Sequence, residues 1–264
     1  MIKLCVFDVD GTLVTKKDRK AAASTIKTLK ALRKAGVKIA IASGRPPFAM
    51  EKSLLDQVDF DYFICSNGAC VQANDGHILH KFQFTQAQTQ LLIDQFKRTD
   101  NALMFQCVEA AHCYHGYKRI ANMLSGFLGR LDILVDEREH ETYMQSDLPL
   151  AAVAKIEDQD KAWMQEQFPD FLFTPFDDQF YDINGQHTKA TGIQYICDEI
   201  GCTMAEAAAF GDDMNDLAMI TECGYGIAMG NAREPVKQAA RYVTASVDED
   251  GIALACQHFG WVKL

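Results

Sequence analysis

Short apolar segments alternate with amphipathic segments at both ends of the chain. Near the N-terminus, residues 2–9 and 37–43 are almost continuously apolar strands, residues 61–69 continue the pattern as a third strand, and residues 20–35 show the pattern of a helix that ends at Gly36. Strands that are apolar on both faces lie between layers of helices. The pattern therefore predicts an α/β fold with a doubly wound, Rossmann-like parallel sheet as its core.

The same alternation returns near residue 187. The predicted elements there are a helix that ends at Gly201, strands at 206–213, 225–229 and 241–245, and helices from about Met214, at 233–240 and at 248–260. Because they again alternate strand with helix, these segments are expected to complete the same parallel sheet.

The middle of the chain has a different pattern of apolar and polar residues. Aromatic and alternating segments surround predicted helices near 85–99, 117–129 and 160–168, which indicates a smaller antiparallel sheet with helices on one face. We therefore predict two domains, a Rossmann-like core formed by residues 1–79 and 185–264, and an inserted α/β cap domain formed by residues 80–184.

Composition narrows the classes of function. The chain has 264 residues, of which 48% are hydrophobic, so it can bury a substantial core. A formal net charge of -10 argues against a binder of nucleic acid or of an anionic membrane, because either partner requires a basic surface. Small solutes are the expected partners.

Cysteine usage and hydropathy predict a cytoplasmic protein. The nine cysteines are odd in number and include no CxxC pair, which is typical of reduced, buried thiols rather than of disulfides or a zinc site. No apolar run approaches the ~20 residues of a membrane helix, and the N-terminus does not have the pattern of a signal peptide.

Candidate chemistry lies at the ends of the predicted strands. Asp8 and Asp10 follow the first strand, and ligands of open parallel sheets bind beyond the carboxyl ends of the strands. Three further strand ends carry polar groups, in Ser43-Gly44-Arg45, in Ser66-Asn67-Gly68, and in GDDMND, which adds Asp212, Asp213 and Asp216. The glycines allow backbone N–H groups to approach an anion closely.

Five carboxylates at one edge of a sheet require a cation. Without one they repel one another, and some of their pKa values rise. Oxygen ligands without a histidine cluster predict Mg²⁺ rather than zinc. Lys189 adds positive charge, although it lies in the first turn of a predicted helix, where the helix dipole disfavours a cation, so another interaction is expected to hold it there.

Taken in order, these motifs resemble a known family. DVDGT at 8–12, Ser43, Lys189 and GDDMND at 211–216 resemble the four motifs of the haloacid dehalogenase-like phosphohydrolases. SNGA at 66–69, GIAMGNA at 226–232 and VTASVDEDGIA at 243–253 resemble its Cof-type sugar-phosphatase subfamily. That subfamily carries a large α/β cap in the interval that separates Asn67 from Lys189 here.

The resemblance implies a role for each residue. Asp8 is the nucleophile that forms an aspartyl-phosphate, and Asp10 is the general acid and base. Mg²⁺ is held by Asp8, the backbone carbonyl of Asp10, and Asp212, while Asp213 and Asp216 orient metal-bound waters or Lys189. The expected substrate-binding residues are Ser43, Gly44, Asn67, Lys189 and Asn215.

Three functions are consistent with these motifs. The first is a Mg²⁺-dependent phosphatase that acts on phosphate monoesters of small metabolites, sugar phosphates in particular. The second is a phosphotransferase or phosphomutase of the same superfamily, which passes the phosphoryl group to another hydroxyl. The third is a non-catalytic phospho-receiver module, although a receiver needs neither the acid Asp10 nor a long insertion. The identity of the substrate and the oligomeric state stay open.

Overall fold

The computed structural model describes residues 2–50, 52–129, 131–139, 147–175 and 179–263. In this part of the chain the strands are β1 (Leu4–Phe7), β2 (Lys38–Ala42), β3 (Tyr62–Cys65), β4 (Cys70–Ala73), β5 (Ile78–Lys81), β6 (Ala102–Gln106), β7 (Ala111–His115), β8 (Leu134–Asp136), β9 (Ala151–Lys155), β10 (Leu172–Pro175), β11 (Phe180–Asn184), β12 (Ala207–Gly211), β13 (Tyr225–Ala228) and β14 (Tyr242–Val243). The helices are α1 (Ala23–Lys34), α2 (Lys52–Leu55), α3 (Gln86–Phe96), α4 (Tyr117–Leu128), α5 (Lys161–Gln167), α6 (Lys189–Ile200), α7 (Leu217–Glu222), α8 (Glu234–Ala239) and α9 (Gly251–His258).

The chain divides into two compact units. The first unit consists of Met1–Gly44, Glu51–His80 and Thr188–Leu264, and the second consists of Arg45–Met50 and Lys81–His187. The second unit therefore includes a short segment that precedes the predicted cap. The domain boundaries predicted from the sequence stay a prediction. Within the described residues, no helix combines the length and the apolar character that a membrane crossing requires.

The first unit is built on a sheet with the strand order β14-β13-β12-β1-β2-β3-β4-β5. The pairs from β14 to β3 are parallel, and β4 runs antiparallel to β3. The chain runs from β1 to β2 on one side, whereas β12, from the far end of the sequence, pairs with β1 on the other side. Such a reversal creates a crevice at the carboxyl ends of the strands.

Strand β1 is covered on both faces, because all four of its residues are fully buried. Leu4 and Val6 pack in a cluster with Ile193 of α6 and Met219 of α7. Alternate residues point to the opposite face, where Phe7 stacks on Phe210 with 4.8 Å between the ring centroids. The predicted parallel, Rossmann-like core is confirmed.

The second unit contains a sheet with the strand order β10-β11-β9-β6-β7-β8. It differs from the sequence prediction in two respects. Strand β8 runs parallel to β7, whereas the other pairs are antiparallel. Helices also pack on both faces of the sheet rather than on one.

Residues of β6 show the two faces directly. Leu103 and Phe105 pack in the cluster that contains Leu92 of α3. The alternate residue Met104 packs in the cluster that contains Ile120 of α4. Every residue of β6 is buried, and its first four residues are apolar, which is typical of a strand that is covered on both sides.

Candidate active site

Asp8 lies directly beyond the carboxyl end of β1, at the crevice formed by the reversal of the chain. Its backbone N–H donates to the carbonyl of Phe210, at 3.0 Å, and so continues the β1–β12 pairing by one residue. Only 7% of Asp8 is exposed. The sheet therefore places this carboxylate at a buried position and fixes its backbone.

The loop after β12 brings a second group of acids to the same edge. It forms a short 3₁₀ turn, Met214–Asp216, whose first N–H donates to the side chain of Asp213. Oδ2 of Asp216 accepts from the backbone N–H groups of Asp212, at 2.8 Å, and Asp213, at 3.0 Å. A Cβ at Gly211 would lie 2.5 Å from the Cβ of Asp216, so this tight turn requires glycine.

Lys189 connects the two groups of acids. It is the first residue of α6, after Thr188, which caps the helix by accepting from the N–H of Thr191. Its Nζ donates to Oδ1 of Asp8 and to Oδ1 of Asp216, at 2.6 Å each, and the side chain is fully buried. These two ion pairs supply the interaction that offsets the unfavourable helix dipole.

Burial and charge act in opposite directions on Lys189. Burial alone lowers the pKa of the ammonium, but the carboxylates of Asp216 and Asp8 outweigh burial and raise the pKa above the ordinary lysine value. Lys189 therefore stays charged at neutral pH, and it is a permanent cation of the site.

Asp8, Asp212 and Asp216 form a buried acidic cluster. One carboxylate oxygen from each lies within 4.8 Å of the others. Burial, followed by the charge of Asp216, raises the pKa of Asp8 well above its ordinary range, and Lys189 only partly offsets this rise. Burial also raises the pKa of Asp212. Because a nearby dication would stabilise the ionised carboxylates, these shifts favour a metal site.

The donor set fits a hard cation. Both oxygens of Asp216 are already engaged, one with Lys189 and the other with two backbone N–H groups, so Asp216 holds the loop and the lysine. Asp8 has one oxygen bonded to Lys189, and Asp212 contacts a hydroxyl and the ammonium of an exposed lysine rather than backbone N–H groups. The carboxylates of Asp8 and Asp212 are therefore the ones that could hold Mg²⁺, which takes one or two carboxylates and keeps several waters. The side chain of Asp10 is not part of the cluster formed by the three acids.

Asp10 lies on the loop that follows β1. Its side chain is 30% exposed, and its Oδ1 is 3.7 Å from a guanidinium nitrogen of Arg19. The next residue, Gly11, has a φ of +100°, and a Cβ there would lie 2.4 Å from Oδ2 of Asp212. Glycine thus allows the loop that carries Asp10 to approach Asp212 closely.

The predicted phosphate-binding residues come together from three strand ends. Ser43, which follows β2 and is 3% exposed, accepts a hydrogen bond at its carbonyl from the N–H of Asn67, at 3.0 Å. The side-chain amide of Asn215 donates to Oδ1 of Asn67, at 2.9 Å. A Cβ at Gly44 would lie 3.3 Å from the amide of Asn67, so these groups lie close together.

The turn between β3 and β4 is conformationally strained. Ser66, Asn67 and Gly68 all have a positive φ, of 47°, 54° and 106°. For a residue with a side chain this conformation costs roughly 1–2 kcal/mol, and such strain persists where the surroundings impose it. A Cβ at Gly68 would lie 2.1 Å from the carbonyl oxygen of Thr188, so the turn packs against the beginning of α6 beside Lys189.

Three residues near the acids were missed by the sequence analysis. Thr12 donates its hydroxyl to Oδ1 of Asp212, at 3.2 Å, and Lys16 lies with Nζ 2.8 Å from Oδ2 of the same residue. Asn231 donates to the carbonyl of Gly11 and accepts from the N–H of Val247, at 2.9 Å each. Thr12 and Asn231 belong to the motifs DVDGT and GIAMGNA, which offered a signal, whereas Lys16 belongs to no motif.

The chain is similar to known proteins over most of its length. The family model described as haloacid dehalogenase-like hydrolase matches residues 5–255. The Bacillus subtilis (strain 168) protein "Putative phosphatase YkrA" is 30% identical over 265 residues, covering 99% of both chains.

Two solved structures of this superfamily are also similar. The HAD phosphatase BT1666 from Bacteroides thetaiotaomicron is 27% identical, with a TM-score of 0.88, over 99% of this chain and 96% of its own. The HAD subclass IIB sugar phosphatase BT4131 is 28% identical, with a TM-score of 0.86, over 98% of this chain and 100% of its own. The predicted resemblance is confirmed, and the chain belongs to the Cof-type haloacid dehalogenase-like hydrolases.

Proposed function

We propose that this protein is a Mg²⁺-dependent phosphatase that hydrolyses phosphate monoesters of small metabolites through an aspartyl-phosphate. Its broader class, a phosphoric monoester hydrolase, follows from the family match and from the phosphatases among its relatives. The observation that carries the finer proposal is the position of Asp8, buried beside Asp212 and bonded to Lys189 through Oδ1 only.

In the first step, Oδ2 of Asp8 attacks phosphorus and forms a new P–O bond. The described residues place no hydrogen-bond donor on this oxygen, so it is available for attack. The bond between phosphorus and the ester oxygen breaks, and this oxygen takes a proton from Asp10, whose side chain is 30% exposed. The dephosphorylated alcohol then leaves.

In the second step, water attacks the phosphorus of the aspartyl-phosphate and gives a proton to Asp10. The bond between phosphorus and Asp8 breaks, which releases inorganic phosphate and restores the carboxylate. Dividing the reaction in this way returns both aspartates to their initial states after each turnover.

Both the metal ion and the polar side chains of the site would stabilise negative charge on the phosphoryl group. Mg²⁺, when held by Asp8, Asp212 and the carbonyl of Asp10, would neutralise charge on the phosphoryl group. The ammonium of Lys189 would bind a phosphoryl oxygen, as would the hydroxyl of Ser43 and the amide of Asn215. Asp213 and Asp216 would act indirectly, because Asp216 positions Lys189.

We propose residues 80–184 as the inserted cap domain that selects the leaving group. Sugar phosphates are the first class to test, since the similar protein BT4131 is a sugar phosphatase. The net charge of -10 disfavours nucleic-acid substrates. Each of the nine cysteines is a buried free thiol, which supports a cytoplasmic location.

The proposal is tested by measuring phosphate release from a panel of sugar, polyol and cofactor phosphates, with and without EDTA. Asp8→Asn should abolish release, while the exposed control Asp56→Asn should leave it unchanged. Turnover by folded Asp8→Asn, or release that is insensitive to EDTA, would refute the mechanism. A strict requirement for an acceptor alcohol would instead identify a phosphotransferase.

A further inference from the structure

A second lysine contacts the acidic cluster. Lys16, on the loop after β1, has its Nζ 2.8 Å from Oδ2 of Asp212 and 3.9 Å from Oδ2 of Asp213. Its side chain is 59% exposed, whereas that of Asp212 is only 2% exposed. The ammonium of an exposed lysine therefore contacts the buried carboxylate of Asp212.

The two lysines divide the three acids between them. Lys189 bonds to Asp8 and Asp216, and within the described residues it forms no ion pair with Asp212. Asp212 instead forms its ion pair with Lys16, whose Nζ lies 2.8 Å from Oδ2 of Asp212. The ammonium of Lys189 is thus buried, whereas that of Lys16 contacts Asp212 from the solvent side.

We propose that Lys16 is an exchangeable counter-ion of Asp212, which holds this carboxylate until a divalent cation displaces the ammonium. The inference rests on the metal site of the proposed function. A Mg²⁺ ion lies about 2.1 Å from a carboxylate oxygen, so an ion on Oδ2 of Asp212 would be no more than about 5 Å from Nζ of Lys16 if the lysine stayed in place. At that separation the two cations repel each other strongly.

The loop after β1 allows the side chain of Lys16 to move away from Asp212. The side chain of Lys16 is 59% exposed, so it can turn into water. Its contact with Asp212 depends on Gly11, where a Cβ would lie 2.4 Å from Oδ2 of Asp212 and 2.7 Å from Cε of Lys16. Thr12 holds the other oxygen of Asp212 through its hydroxyl, so the carboxylate keeps its orientation during the exchange.

The exchange predicts a specific change in metal affinity. Mn²⁺ prefers the same oxygen ligands as Mg²⁺, and its binding to the EDTA-treated full chain is measurable by calorimetry or by the EPR signal of free Mn²⁺. In Lys16→Met, where no ammonium competes, Mn²⁺ should bind about twofold to tenfold more tightly than in the wild type. Lys17→Met is the matched control, because Lys17 is exposed and forms no ion pair within the described residues.

Thermal unfolding gives a second readout. Without metal, Lys16→Met should unfold at a lower temperature than Lys17→Met, since Asp212 loses its cation, and saturating Mn²⁺ should remove the difference. Equal changes in Mn²⁺ affinity in the two variants would overturn the exchange, because a general charge effect would then explain them. So would unchanged or weaker binding by Lys16→Met.

Failure of the proposed function would give a different result in the Mn²⁺-binding experiment. If the wild type and both lysine variants bind no Mn²⁺, or if Asp212→Asn binds it as tightly as the wild type, the metal site itself is refuted together with the exchange. If Mn²⁺ binding depends on Asp212 but does not distinguish Lys16→Met from Lys17→Met, only the exchange fails.

Discussion

Replacing Lys189 by methionine tests the electrostatic core of the site. Methionine fills a similar volume, but it leaves Asp8 and Asp216 buried without the ammonium that now bonds to both, at 2.6 Å each. Removing one partner of a buried ion pair costs about 3–5 kcal/mol. The variant should therefore lose this amount from its free energy of unfolding.

An independent argument gives the same magnitude. An unpaired buried carboxylate takes up a proton, and holding an ordinary carboxyl protonated at pH 7 costs about 4 kcal/mol. For a unit of this size, a loss of 3–5 kcal/mol lowers the unfolding temperature by about 6–20 °C.

The loss should also depend on pH in a defined direction. Lys189 lowers the pKa of Asp8, which burial and Asp216 raise, so removing the lysine raises this pKa further. A carboxyl that is protonated when folded and ionised when unfolded makes the protein less stable as pH rises. The difference between variant and wild type should thus grow with pH, by up to about 1.4 kcal/mol per unit, once the pH exceeds the already raised pKa of Asp8 in the wild type.

The assay is urea unfolding in EDTA, followed by circular dichroism, over a pH series that runs from the ordinary carboxyl range to above neutrality. The control is Lys30→Met, since Lys30 is exposed on α1 and its replacement should change stability by no more than about 0.5 kcal/mol. A loss below about 1 kcal/mol in Lys189→Met, or a loss that stays equal over the whole pH series, would contradict the assigned role of this lysine.

Two further substitutions test the loops around the site by urea unfolding. Gly68 and Gly76 both have a positive φ, and Gly76→Ala should cost about 1–2 kcal/mol for that reason alone. Gly68→Ala should be more destabilising, because only a Cβ at Gly68 would meet the carbonyl of Thr188. Equal losses of stability in the two variants would show that this close contact is unimportant. Thr12→Val should lose about 1–3 kcal/mol in EDTA, because it removes a hydrogen bond from the buried carboxylate of Asp212. Unchanged stability of Thr12→Val would contradict that hydrogen bond.

Much of the fold follows from local pattern. The continuously apolar β1, with Asp8 directly after it, indicates a parallel strand that ends at a binding edge, and the structure has this strand in the middle of the sheet. The roles assigned to Asp8 and Asp10 stay predictions. The prediction that helices lie on one face of the second sheet was wrong, because the alternating segments indicate a half-exposed sheet, whereas every residue of β6 is buried.

The contacts of Lys16 were not predictable in this way. Periodicity fixes the face on which a residue of a helix or strand lies, but it gives no direction to a flexible side chain in an irregular loop. Lys189 is the opposite case, because the unfavourable position of a cation in the first turn of α6 indicated a partner, and the structure supplies Asp8 and Asp216.

The position of β1 between β2 and β12 has a consequence for how the protein is made. Thr12 and Asp212, which form a hydrogen bond in the site, are 200 residues apart in the chain. At a synthesis rate of about 5–20 residues per second, the ribosome needs roughly 10–40 s to add the intervening chain. During this time one edge of β1 has no native partner, so the nascent chain exposes an apolar strand for chaperones to protect.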